Sequence, residues 1–223
     1  MKYPEDFINK VILGDCLEVM KEMEDNSVDL IVTDPPYGVN YDGSSSTKRE
    51  KIKNDFNADL YKKIIPELYR IIKPGGGGIY IFYTNSKSHI IFPLLKKIPY
   101  QVFIWYKINF NFNMGAKFKN TYEPILYLKK SPTKFRGSTN QTDVFIYKKN
   151  TQNIFHPTQK PNDLIAKLIK LSSDDEDIVF DPFLGSGTTA IIAKLLKRKY
   201  IGIEIDPKYY KIAKQRLRQE TLF

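Results

Sequence analysis

Cysteine is almost missing from the chain: Cys16 stands alone among 223 residues. One thiol excludes an internal disulfide and a cysteine-based metal centre, and two histidines add too few ligands for a metal to be expected. No apolar run approaches the roughly 20 residues that a membrane-spanning helix needs, and Met1-Lys2-Tyr3-Pro4-Glu5-Asp6 has no leader-peptide pattern. A cytoplasmic protein without membrane contact is the expectation. Internal repeats and linker-like breaks are lacking too, so residues 1–223 read as one domain, long enough to bury a real core. Acidic residues are in deficit, with 25 Asp and Glu against 35 Lys and Arg, a net charge of +10. That balance favours a polyanionic partner.

The excess is concentrated. Between residues 100 and 160, nine lysines and Arg136 face only Glu123 and Asp143, a local charge of +8, with Phe, Tyr and Asn interleaved; a solvated lysine-rich surface from compositional bias is the competing reading. Residues 131–155 show no strong period and carry side chains of the kind that bind phosphates and base edges. Lys107, Lys117, Lys119, Lys134, Arg136, Lys148 and Lys149 are the candidate phosphate contacts.

Apolar period orders the rest. Strands are expected near residues 10–15, 28–33, 79–83, 101–106, 124–128, 178–181 and 199–205, with helices near 16–23, 57–72, 86–97, 162–171, 188–197 and 207–218. Pro66 lies inside the second helical pattern and is expected to kink it or move its boundary. Strands alternating with helices predict an α/β fold, a mainly parallel sheet with helices on both faces. Residues 38–55 are polar and Gly/Ser-rich, a mobile loop by composition.

Two stretches carry chemistry. Asp34-Pro35-Pro36-Tyr37 follows the apolar run 28–33, so a carboxylate and an aromatic ring sit where a strand ends. Consecutive prolines stiffen the exit and leave carbonyls without neighbouring N–H partners. Asp34 and the Pro35 carbonyl can therefore accept from an exocyclic amine while Tyr37 stacks on its ring; ordinary turn punctuation is the competing reading. The second stretch, Gly185-Ser186-Gly187-Thr188-Thr189-Ala190, opens a helix after a strand, and Glu204 ends the next strand 19 residues after Gly185. Small residues admit a ligand to the backbone, a helix start favours an anion, and the acid suits ribose hydroxyls. An NAD-dependent dehydrogenase shares this pattern, but only 19 residues follow Glu204. One nucleoside with a charged tail fits better, and S-adenosylmethionine has that shape. A glycine turn needed only for packing is the alternative.

Together the two motifs resemble the amino-methyltransferases of DNA, and their order resembles the circularly permuted beta class. The resemblance covers nearly the whole chain. It implies a single-domain Rossmann-like fold with a seven-stranded sheet and one antiparallel strand. It also implies S-adenosyl-L-methionine as cofactor, S-adenosyl-L-homocysteine as product, no metal, and double-stranded DNA as substrate. By position it implies cofactor contacts from Asp15, Cys16, Asp34, His156, Thr158, Lys160, Asp181, Phe183, Gly185, Ser186, Gly187, Thr188, Glu204 and Ile205, and catalysis by Asp34, Pro35, Pro36 and Tyr37. Trp105-Tyr106-Lys107 and Tyr122-Glu123-Pro124 resemble a less specific segment of the same family, and the resemblance implies a small embedded target-recognition region at about 131–155. Asp rather than Ser at position 34 points to adenine N6, with cytosine N4 as the alternative; an RNA-base methyltransferase and a non-catalytic nucleic-acid-binding protein are the other readings. A homodimer and an accompanying restriction endonuclease are further expectations.

Overall fold

The computed structural model describes residues 1–36, 59–108, 120–137, 140–149, 155 and 159–219. Tyr37, Lys117, Lys119, His156, Thr158 and the expected loop 38–55 lie outside them. The elements in chain order are β1 (Lys10–Leu13), α1 (Cys16–Lys21), β2 (Leu30–Thr33), α2 (Asp59–Ile71), β3 (Gly78–Phe82), α3 (Ser88–Leu94), β4 (Tyr100–Lys107), β5 (Tyr122–Leu128), β6 (Val144–Tyr147), α4 (Asn162–Ser172), β7 (Ile178–Asp181), α5 (Thr188–Leu195), β8 (Lys199–Glu204) and α6 (Pro207–Arg218). A single 3₁₀ turn, Asn85–Lys87, precedes α3.

The sheet has the order β1-β8-β7-β2-β3-β5-β4-β6. Every strand is parallel to the others except β5, which runs against β3 on one side and β4 on the other. Among the described residues eight strands are present where seven were expected; the additional one is β6, at the edge beside β4.

Central β2 is buried along its length, as its continuous Leu-Ile-Val run demands of a strand covered on both faces. Ile31, Ile79, Ile81, Leu126 and Leu128 point to one face, against α1, α2 and α3. Leu30, Val32, Tyr80, Phe82, Ile125 and Tyr127 point to the other, against Leu164, Ile165 and Leu168 of α4. Helix α2 buries Tyr61, Ile64, Ile65, Leu68 and Ile71, the i, i+3, i+4, i+7 stripe of an amphipathic helix. Pro66 does not end it, since the helix runs unbroken from Asp59 to Ile71. Pro66 and Lys62 are both exposed, so the carbonyl deprived of its i+4 donor lies on the watered side. Helix α6 closes the outer end of the sheet, with Ala213 and Leu217 packed on Leu184, Ala190 and Ile191. No helix among the described residues is long and apolar enough to cross a membrane.

Candidate active site

Strands β7 and β2 are neighbours, and the chain leaves them in opposite directions, β2 toward β3 and β7 toward β8. Such a reversal opens a crevice at the carboxyl ends of the strands, the usual binding place in an open α/β sheet. Both sequence motifs end there. Asp34 follows β2, and Asp181 is the last residue of β7.

Asp181 is wholly enclosed. Its Oδ1 accepts from the Thr33 hydroxyl at 2.8 Å and the Phe183 N–H at 3.0 Å, and its Oδ2 accepts from the Thr189 hydroxyl at 2.7 Å. Burial pushes its pKa up to about 7 despite these donors. Asp181 thus clasps β2, the glycine turn and α5 together, which makes it a support for the turn; Thr33 and Thr189, its partners, were not singled out in the sequence.

The turn itself is held from two sides. Gly187 adopts φ 94°, and a Cβ there would lie 3.0 Å from that of Ala213 on α6. Glu204, at the end of β8, accepts from the Gly185 N–H at 2.7 Å and the Asp206 N–H at 2.8 Å; burial raises its pKa against these donors. From α6, the Arg216 guanidinium donates to the Ser186 carbonyl at 2.6 Å and lies 4.5 Å from the Phe155 ring centre. Nothing in the sequence distinguished Arg216 from the other basic residues of the last helix. The Ser186 hydroxyl donates to Gln159 Oε1 at 3.4 Å, joining the turn to the 156–161 segment.

A cofactor with an anionic tail fits this cradle. Thr188 buries a hydroxyl with no hydrogen-bond partner among the described residues, and no side chain caps α5. A carboxylate on the turn would satisfy both. Asp15 lies just past β1, two strands from the turn, where it caps α1 by accepting from the Leu17 N–H at 2.8 Å. Cys16 beside it is buried, and burial raises its thiol to about 12, an inert packing group. Phe183 is half-buried and Ile205 exposed, flanking the turn and Glu204 respectively.

Lys160, which the resemblance assigns to the cofactor pocket, lies against the tetrapeptide. Its Nζ lies 2.7 Å from Asp34 Oδ2 and 3.2 Å from Glu123 Oε2. Pro35 is buried and Pro36 half-buried beside it, as a stiff strand exit requires.

The expected phosphate contacts separate into three places. Lys107 is only 5 % exposed and pairs with Glu123 at 3.0 Å, so it belongs to the interior. Lys134 and Arg136 lie at the amino ends of the strands, where the backbone of residues 132–136 bonds to Gly75, Gly76 and Leu171 and both side chains pair with Asp174. Because β5 is antiparallel, the chain leaving it arrives at the end opposite the crevice, and that is why residues 132–136 miss the crevice. Lys148 and Lys149 follow β6, which runs parallel to β4 and returns the chain to the crevice end.

A family profile described as DNA methylase, of the N6 and N4 type, matches residues 28–215. The type II methyltransferase M.BglII of Bacillus subtilis is 30% identical over 98% of this chain and 71% of its own. The DNA adenine methyltransferase YhdJ of Escherichia coli is 31% identical over 93% of this chain and 82% of its own. The crystal structure of the M1.HpyAVI-SAM complex superposes with a TM-score of 0.70 at 27% identity, covering 93% of this chain and 99% of that one. A profile spanning both motifs and the crevice between them, with relatives aligned along nearly the whole length, places this chain in the DNA methylase family.

Proposed function

We propose that the chain transfers a methyl group from S-adenosylmethionine to the exocyclic N6 amine of adenine in duplex DNA. The observation that carries this reading is the meeting of Asp34 with the glycine-turn clasp across the β2–β7 crevice, an amine acceptor beside a nucleoside cradle. Adenine is favoured by Asp at position 34 and by the adenine activity named for the relative YhdJ.

When bound, S-adenosylmethionine supplies an electrophilic sulfonium methyl. Gly185, Gly187 and Thr188 would seat its amino-acid end, and Glu204 its ribose. The target base leaves the duplex stack, at a cost of a few kcal/mol. Tyr37 is the stacking platform that returns roughly 1–3 kcal/mol of this. Asp34 and the Pro35 carbonyl accept the two amine hydrogens, which draws the nitrogen lone pair out of the ring and aims it at the methyl. The carboxylate stabilises the charge that develops on nitrogen and the proton leaves after transfer. Lys160 keeps its charge because Asp34 and Glu123 together outweigh the burial that opposes it.

Incubation with labelled S-adenosylmethionine and duplex DNA, followed by digestion to nucleosides, should yield N6-methyladenine. N4-methylcytosine would move the activity to the other base, and methylation of RNA alone would move it to another substrate. Cofactor binding without any transfer would leave only a binding protein. We place this activity in the cytoplasm, in a homodimer, alongside a cognate restriction endonuclease; a monomeric mass at working concentration would count against the dimer.

A further inference from the structure

Four alternating charges form a row on the α4 face at the carboxyl end of the sheet: Asp34, Lys160, Glu123 and Lys107. The contacts along it are 2.7, 3.2 and 3.0 Å. Lys160 is 7 % exposed and spans from β2 to β5 across the end of β3, with Nζ 5.0 Å from the ring centre of Phe82. Glu123 sits opposite Trp105 in the β4–β5 register, and the Lys107 ammonium lies 5.1 Å from that indole. Two positive and two negative groups cancel, which is how buried charge is tolerated.

The reaction makes the inner pair a problem. A carboxylate tied to one ammonium is a poorer acceptor, so a substrate amine competes with Lys160 for Asp34. A second carboxylate on the other side of Nζ divides the ammonium's attraction and keeps it over Phe82 when Asp34 turns to the amine. We propose that Glu123 is a positioning residue for methyl transfer, the second anchor that shares Lys160 with Asp34, and that Lys107 holds Glu123 in that place. The inference rests on the methyltransferase reading above and adds a residue to it.

Three variants test it: Glu123→Gln, Glu123→Asp, and Glu123→Gln combined with Lys107→Met, which restores the charge balance. For Glu123→Gln, kcat should fall at least about tenfold while KM for S-adenosylmethionine stays within about twofold. Glu123→Asp should recover part of the rate. The double variant should regain melting temperature and remain slow. Recovery of kcat together with melting temperature in the double variant, or a wild-type rate in Glu123→Gln, would overturn the positioning role and leave a structural ion pair. The lysine side-chain ¹⁵N spectrum, which requires no turnover, should show the Lys160 signal move in Glu123→Gln; an unmoved signal overturns the shared ammonium. A wild-type protein that methylates no nucleic acid overturns the methyltransferase reading instead, and that result stands apart from the spectra.

Discussion

At the scale of single residues, acceptors decide the chemistry. In the proposed mechanism, removing the Asp34 carboxylate would leave the substrate amine without its charged partner; it also takes from Lys160 its nearest counter-charge. Asp34→Ala should lower turnover by about 10²–10³-fold, with cofactor affinity retained, as titration calorimetry would register. Asp181 bears on stability through its buried carboxyl. Its pKa of about 7 in the folded chain compares with an ordinary 3.8, so between these values the folded chain holds a proton that the unfolded chain has released. Its contribution to stability therefore falls as pH rises from about 4 to about 7, by up to roughly 4 kcal/mol, and is flat above that. Asp181→Asn should remove this slope, and denaturant melts at pH 5 and pH 8 should move in the variant's favour at the higher pH. Asp34, Gly187 and Glu204 were legible in the sequence because each belongs to a motif placed where an apolar run gives way to a turn. The Tyr122-Glu123-Pro124 segment was legible too, but not the pairing of Glu123 with Lys160; Arg216 and Thr33 were not legible, because each acts on a partner brought close only by the fold, and Thr33 and Asp181 are 148 residues apart.

Elements set how exactly such partners meet, and backbone approach is what limits them. A methyl group at position 187 would meet Ala213 and force a left-handed conformation on a residue with a side chain. Gly187→Ala should cost about 1–3 kcal/mol and weaken cofactor binding as α6 moves off the turn, measurable by melting temperature and calorimetry together. At the opposite end of the sheet, a Cβ on Gly77 would fall 1.8 Å from the Ser172 carbonyl oxygen at the end of α4. Gly77→Ala should therefore destabilise by about 3 kcal/mol or more. Helix periods located the helices well, because three or four apolar positions repeat over several turns. Strand β6 escaped notice for the converse reason: Val144, Phe145 and Ile146 are consecutive apolar residues in only four positions, too few to show alternation. The cost of Pro66 depends on which side of the helix faces water, a property of packing and not of local sequence.

For the molecule as a whole, charge matters by location. Counting basic residues pointed to a polyanion but not to a surface, since three of the seven candidate phosphate contacts are committed elsewhere: Lys107 to Glu123, Lys134 and Arg136 to Asp174. The reversal at β5 is what sorts them, and no local pattern reveals a strand's direction. Lys148→Ala with Lys149→Ala should weaken DNA binding and reduce the slope of log K against log salt by up to about 0.9 for each phosphate that is no longer neutralised. Lys134→Ala with Arg136→Ala should leave that slope unchanged. Fluorescence anisotropy with a labelled duplex over a salt series would separate the two.

Strand β6 has a consequence for handling the protein. It lends one backbone edge to β4, and among the described residues no strand pairs with the other; Val144 and Ile146 point outward, 41 % and 60 % exposed. Open, apolar edges recruit further strands and seed precipitation. In concentrated stocks without nucleic acid, clouding should begin here, and a single lysine in place of Ile146 should lengthen shelf life.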